Sequence, residues 1–310
     1  MLSIALSVLP FLGIYPIDPV PLRRLIDEAD VIAVVETTAT LEKLGGEDYE
    51  IFGTQVAKLR PITILKGSGL PGRIEVLYEN GMICPAPAHF EAKATQLVFL
   101  KESDTENYYE SVALSYGTPT LDERERKTYE IAIQKWLAIP LLPEEEQQEA
   151  KRHWMVRLTL HPHTRSEGLL ELNPNRYSPS HGSDGVWPYS VLDFSDEQKD
   201  ALVKALLKTE DFGYQVRNFY HTLKATGDPR LAPWLLSRLR KATPRELRSS
   251  YGDWLHELLR VIPNEEAEQM FHKHWKPAEK DSYSDQQWVY RYPTNASQYS
   301  RAKALIALYP

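Results

Sequence analysis

A change of hydrophobic period near Leu121 constrains this chain more than any other feature. From Ala29 to Lys101, apolar residues alternate or run in short β-branched blocks between turn residues, whereas from Asp122 onward they recur every three and four positions. Strand side chains return to one face with a period of two and helix side chains with a period of 3.6, so one stretch reads as sheet and the other as helices. The expected class is α+β multidomain, with a leader or signal-like segment over 1–24, a β domain over 25–120 and an α-helical array over 121–310.

The β domain divides at its turn residues. Ala29 to Leu41 is rich in Val, Ile and Thr and poor in helix formers, which favours a strand. Gln55 to Leu65 gives a second strand, and the Lys66-Gly67-Ser68-Gly69 and Pro71-Gly72 turns lead into a third over Arg73 to Glu79, making a hairpin. Pro61 lacks an N–H, so it predicts an edge or a bulge within the second strand. Thr95 to Lys101 is apolar at its centre and predicts a strand buried on both faces, and Tyr108 to Leu114 is the closing strand.

The order Glu28-Ala-Asp-Val-Ile-Ala-Val-Val35, Ile64-Leu-Lys-Gly67, Cys84-Pro85 and Gln96-Leu-Val-Phe-Leu-Lys101 resembles the netrin-like, tissue-inhibitor-of-metalloproteinases-like domain of bacterial extracytoplasmic proteins. That resemblance spans Leu25 to Tyr116 and implies a small OB-like β-barrel. Inhibitors of this kind begin with a Cys-x-Cys that reaches the protease zinc. Here no cysteine precedes Cys84, so protease inhibition does not carry over. With Cys84 the single cysteine, the chain forms no internal disulfide, and paired-cysteine zinc sites are excluded. Met1 to Tyr15 is an apolar run of export-signal length, too short to span a bilayer. Together with the resemblance it suggests an extracytoplasmic location, without an integral membrane span.

Downstream, Asp122 caps a helix carrying Tyr129, Ile133, Trp136 and Leu137, and Pro143 with Glu144 to Glu146 opens another carrying Trp154, Val156, Leu158 and Leu160. Ser195 to Gln198 forms a capping box, and Gly227-Asp228-Pro229 ends one helix and starts the next, a turn that resembles those of HEAT-like repeats, here irregular. The final helix is expected to pack through Ala302, Leu305, Ile306 and Ala307.

Function is less legible. A formal charge of −7 offers no attraction to phosphate backbones, and no basic aromatic groove is evident, so a single-stranded nucleic-acid reading of the barrel is disfavoured. His161 with His163, and His272 with His274, are the only close histidine pairs, but both sit at helix breaks without a third ligand at a fixed offset. His256-Glu257 lacks the second histidine of a zincin motif, and no nucleophile elbow, Walker loop or dinucleotide fingerprint occurs. Trp136, Trp154, Trp234 and Trp254 lie on apolar helix faces and read as core. The long loop Asn173 to Asp193 is the candidate partner-binding surface, with Tyr177, Trp187 and Tyr189 as anchors. The reading is a non-catalytic binding or scaffolding module for a protein or peptide partner, with no cofactor. A metal-dependent hydrolase using His161 and His163 is the alternative.

Overall fold

A computed structural model describes residues 20–42, 54–79, 87–172, 190–209, 214–243, 251–274 and 296–310. Residues 1–19 of the expected leader, Cys84, and Tyr177, Trp187 and Tyr189 lie outside the described residues, whereas 20–24 are described and already enter the first helix. The chain forms two compact units, Met1–Ser190 and Val191–Pro310.

The first unit is built on five strands: β1 (Val31–Glu42), β2 (Thr54–Lys66), β3 (Ile74–Glu79), β4 (Thr95–Glu102) and β5 (Tyr109–Ser111). They close into a barrel in the order β1-β2-β3-β5-β4, and β4 returns to β1. Every pairing is antiparallel except β3 with β5. An OB-like barrel has this five-stranded closed form, which removes the exposed edges of an open sheet.

Val31, Ala33 and Val35 of β1 point inward to meet Leu59, Ile74, Val76, Val98, Leu100 and Phe90 in the barrel core. Ile32, Val34, Leu97 and Phe99 alternate to the opposite face, yet they are also buried, because helices cover that side. The expectation that β4 is buried on both faces is met from Leu97 to Leu100.

Pro61 sits opposite Val35, beside a register shift between Val34 and Val35, and β2 has already left β3 after Leu59. Its missing donor therefore falls at a bulge on a stretch paired on one side only. In the turn after β2, Gly67 takes φ +100°, where a side chain would be strained and its Cβ would lie 3.0 Å from the Asp30 carbonyl oxygen. The closing strand is shorter than expected. Ala113 and Leu114 adopt positive φ and turn the chain into a 3-10 segment over Leu114–Gly117, so Leu114 is not in the strand.

Helix α1 (Leu22–Glu28) precedes the barrel, and α2 (Glu123–Ala138), α3 (Glu144–Leu160) and α4 (Arg165–Leu172) follow it within the same unit. Asp122 and Glu125 form a reciprocal capping box at the start of α2. The indole N–H of Trp136 donates to Asp27 at 2.8 Å, tying α2 to α1. Helix α3 buries Trp154, Met155, Val156, Leu158 and Thr159, more than one face, because α2 and α4 both pack on it. Gly168 makes the second packing possible: a Cβ there would come within 2.7 Å of Thr159 Cα, so α4 crosses α3 almost backbone to backbone.

The second unit holds α5 (Asp196–Leu207), α6 (Tyr214–Leu223), α7 (Leu231–Lys241), α8 (Tyr251–Val261), α9 (Glu265–His274) and α10 (Ala296–Ala307). Ser195 and Gln198 make the expected capping box. Gly227 takes φ +67° as a helix terminator, but Asp228 caps a preliminary turn through the Arg230 N–H, and α7 starts only at Leu231. The unit's core is aromatic: Tyr220 stacks on Trp234 at 5.9 Å and meets Trp254 edge-on at 5.5 Å. Ala302, Leu305 and Ile306 of α10 are buried, whereas Ala307 is exposed, a correction to the expected packing stripe. Ala307 lies one position beyond Ile306, on the solvent side.

Candidate functional site

Helices α2 and α3 are antiparallel: Trp154 donates its indole N–H to the Ala132 carbonyl at 2.8 Å, and His163, just past the end of α3, reaches Glu125 near the start of α2. The short Ile139–Leu141 turn and Pro143 reverse the chain between them, the connection that favours antiparallel neighbours. Between the two helices lies an open groove of about 420 Å3. Helix α2 lines it with Thr128, Ile131, Ala132 and Lys135, and α3 with Trp154, Arg157, Leu158 and Leu160. His161, Pro162 and Thr164 close one end.

Positions 128, 131, 132 and 135 repeat at i, i+3, i+4 and i+7, as do 154, 157, 158 and 161, so each helix presents one continuous stripe to the groove. The floor is apolar, with Trp154 4% and Leu158 3% exposed, while Ile131 stands at the lip, 54% exposed. The charged lining residues are all basic. Among the described residues neither Lys135 nor Arg157 is paired with a carboxylate, and no lining residue is acidic in a chain with seven more acidic than basic side chains. An apolar floor with cationic lips suits a ligand that is apolar on one side and anionic at its margin.

The two histidines of the metal reading are brought together, with ring centroids 5.4 Å apart. His161 is the residue that ends α3, its amide bonding back to the Arg157 carbonyl, and its Nδ1 accepts the His163 amide N–H at 3.4 Å. Burial, reinforced by His163 and by Arg124 and Arg165, lowers its pKa below the ordinary histidine value. Among the described residues no three His, Cys, Asp or Glu side chains are grouped so as to hold a metal ion. His272 and His274 fall in the last turn of α9, where His272 Nε2 lies 3.8 Å from a Glu268 carboxylate oxygen one turn back.

A buried acidic cluster lies on α4. Glu171 is fully buried; its Oε1 accepts the Arg23 backbone N–H at 3.0 Å, and its Oε2 lies 3.5 Å from Arg23 Nε. One turn earlier, Glu167 accepts the Tyr129 hydroxyl at 3.0 Å. Burial raises the Glu171 pKa to about 7 in spite of Arg23 and with a further push from Glu167; burial likewise raises Glu167. The cluster joins α1, α2 and α4 and has no open face at Glu171, so it holds the helical layer together and offers no surface for a substrate.

The sequence reading named Trp154, Leu158 and Leu160 as an apolar body but missed the groove, because Ile131, Lys135 and Arg157 lie off the main buried stripe. The available signal was the repeated i, i+3, i+4, i+7 pattern, one apolar-to-basic stripe on each helix. The chain matches no family model and no curated protein. Among the described residues no helix is long and apolar enough to cross a membrane.

Proposed function

We propose that the chain is a non-catalytic binding module whose working surface is the groove between α2 and α3. The observation that carries this reading is an open apolar floor flanked by Lys135 and Arg157, two cations without carboxylate partners among the described residues. Monomer surfaces seldom keep such a floor unless something covers it. The resemblance of the sequence over Leu25 to Tyr116 to netrin-like domains and the apolar run from Met1 to Tyr15 support an exported protein that presents this groove to a partner.

Ile131 is the residue to change, because it is half exposed and its replacement leaves the core intact. Placing a carboxylate at the lip with Ile131→Asp should suppress labelling of the groove by an apolar anionic photoprobe at least about tenfold, roughly the cost of opposing a desolvated charge. The melting temperature should not move by more than a degree or two, as is usual for surface changes. Undiminished labelling in a folded variant would remove the groove from the function.

A further inference from the structure

We infer that the groove seats a short amphipathic helix with acidic flanks, carried by a partner protein. This inference rests on the groove being the binding surface and names what fills it.

Two antiparallel helices with matched stripes leave a channel parallel to both axes, the seat into which the ridge of a third helix packs. Residue spacing of i to i+7 on each wall spans two helical turns, so the occupant that matches it repeats its apolar anchors at the same interval. At about 420 Å3 the space accepts anchoring side chains but no folded domain. The half-exposed Ile131 marks an open lip, unlike the enclosed pocket that surrounds a small molecule. Lys135 on one wall and Arg157 on the other set the charge of the occupant's flanks, and the excess negative charge of the chain makes that local positive margin selective. The leading rival is a fatty carboxylate, whose single negative charge matches only one of the two cations, Lys135 and Arg157.

The test uses the full chain and two fluorescein-labelled helical peptides with the same leucine stripe at i, i+4 and i+7, one flanked by glutamates and the other by lysines. Anisotropy titrations should show the acidic peptide binding about tenfold or more tighter than the basic one at low salt, with the gap narrowing at high salt. The double variant K135E/R157E should erase or reverse the preference, and Ile131→Asp should weaken both peptides. Equal binding of the two peptides would overturn the inference. So would tight binding of dodecanoate with neither peptide bound, a result that leaves the groove as the binding surface and changes only its occupant. Absence of photoprobe labelling at the groove would defeat the underlying reading itself.

Discussion

Phe99→Ala is expected to destabilise the first unit by about 3–5 kcal/mol, the range for emptying a fully buried phenylalanine site. Phe99 is wholly buried on β4, directly opposite Ile32 of β1. It lies on the face turned away from the barrel interior, so it packs where the barrel meets its own helices. Its neighbours Ile32, Val34 and Leu97 are held in the sheet and cannot collapse far into the space it leaves. Its backbone also accepts the Val112 N–H at 2.9 Å, which the substitution leaves intact, so the loss is one of packing alone. Urea unfolding of the variant measures it. A cost under about 1 kcal/mol would mean that the helical layer does not press on this strand.

A second large effect is on pH dependence. The Glu171 carboxyl titrates at about 7 in the folded chain against an ordinary carboxylate value near 4.5. Between those values the folded state keeps a proton that the unfolded state has released. Stability from this group is therefore greatest below about pH 4.5, falls as pH rises through 7 and is then level. The difference amounts to about 3 kcal/mol in order of magnitude. The facing groups are Arg23 on α1, which opposes the shift, Glu167 on α4, which adds to it, and Tyr129 on α2, bonded to Glu167. The depressed carboxylates Asp122, Asp200 and Asp228 lose their contributions at lower pH, outside this window; within it the raised Glu167 adds to the fall and the lowered His161 and His274 oppose it. Urea melts at pH 5 and pH 8 should show the protein less stable at pH 8, and Glu171→Gln should flatten most of the difference. An unchanged difference in the Gln variant would place the titration elsewhere.

The barrel was readable because β-branched alternation and glycine turns are local signals: four of its strands begin and end within a few residues of the expected limits. The fifth is shorter because Ala113 and Leu114 take left-handed conformations, which the sequence does not signal, beside a tightly packed Gly117 whose added Cβ would clash with the Val112 carbonyl oxygen. Helix starts at Asp122 and Ser195 were readable from their capping boxes. The groove was not, because it depends on how α2 and α3 pair, a long-range fact. Nor was the burial of Glu171, since an acidic residue on a short helix ordinarily faces water and only its packing against α1 reverses that. Tyr177, Trp187 and Tyr189 lie outside the described residues, and the stretch that carries them is the rival surface expected from the sequence.

Photolabelling the full chain with an apolar, carboxylate-bearing diazirine and mapping the adducts by mass spectrometry decides between the two surfaces. Adducts should concentrate in residues 128–135 and 154–162, the two walls of the groove, and should be displaced by the acidic peptide. Labelling confined to residues 173–189, with the groove walls unmodified, would contradict the groove as the working surface and return that role to the loop.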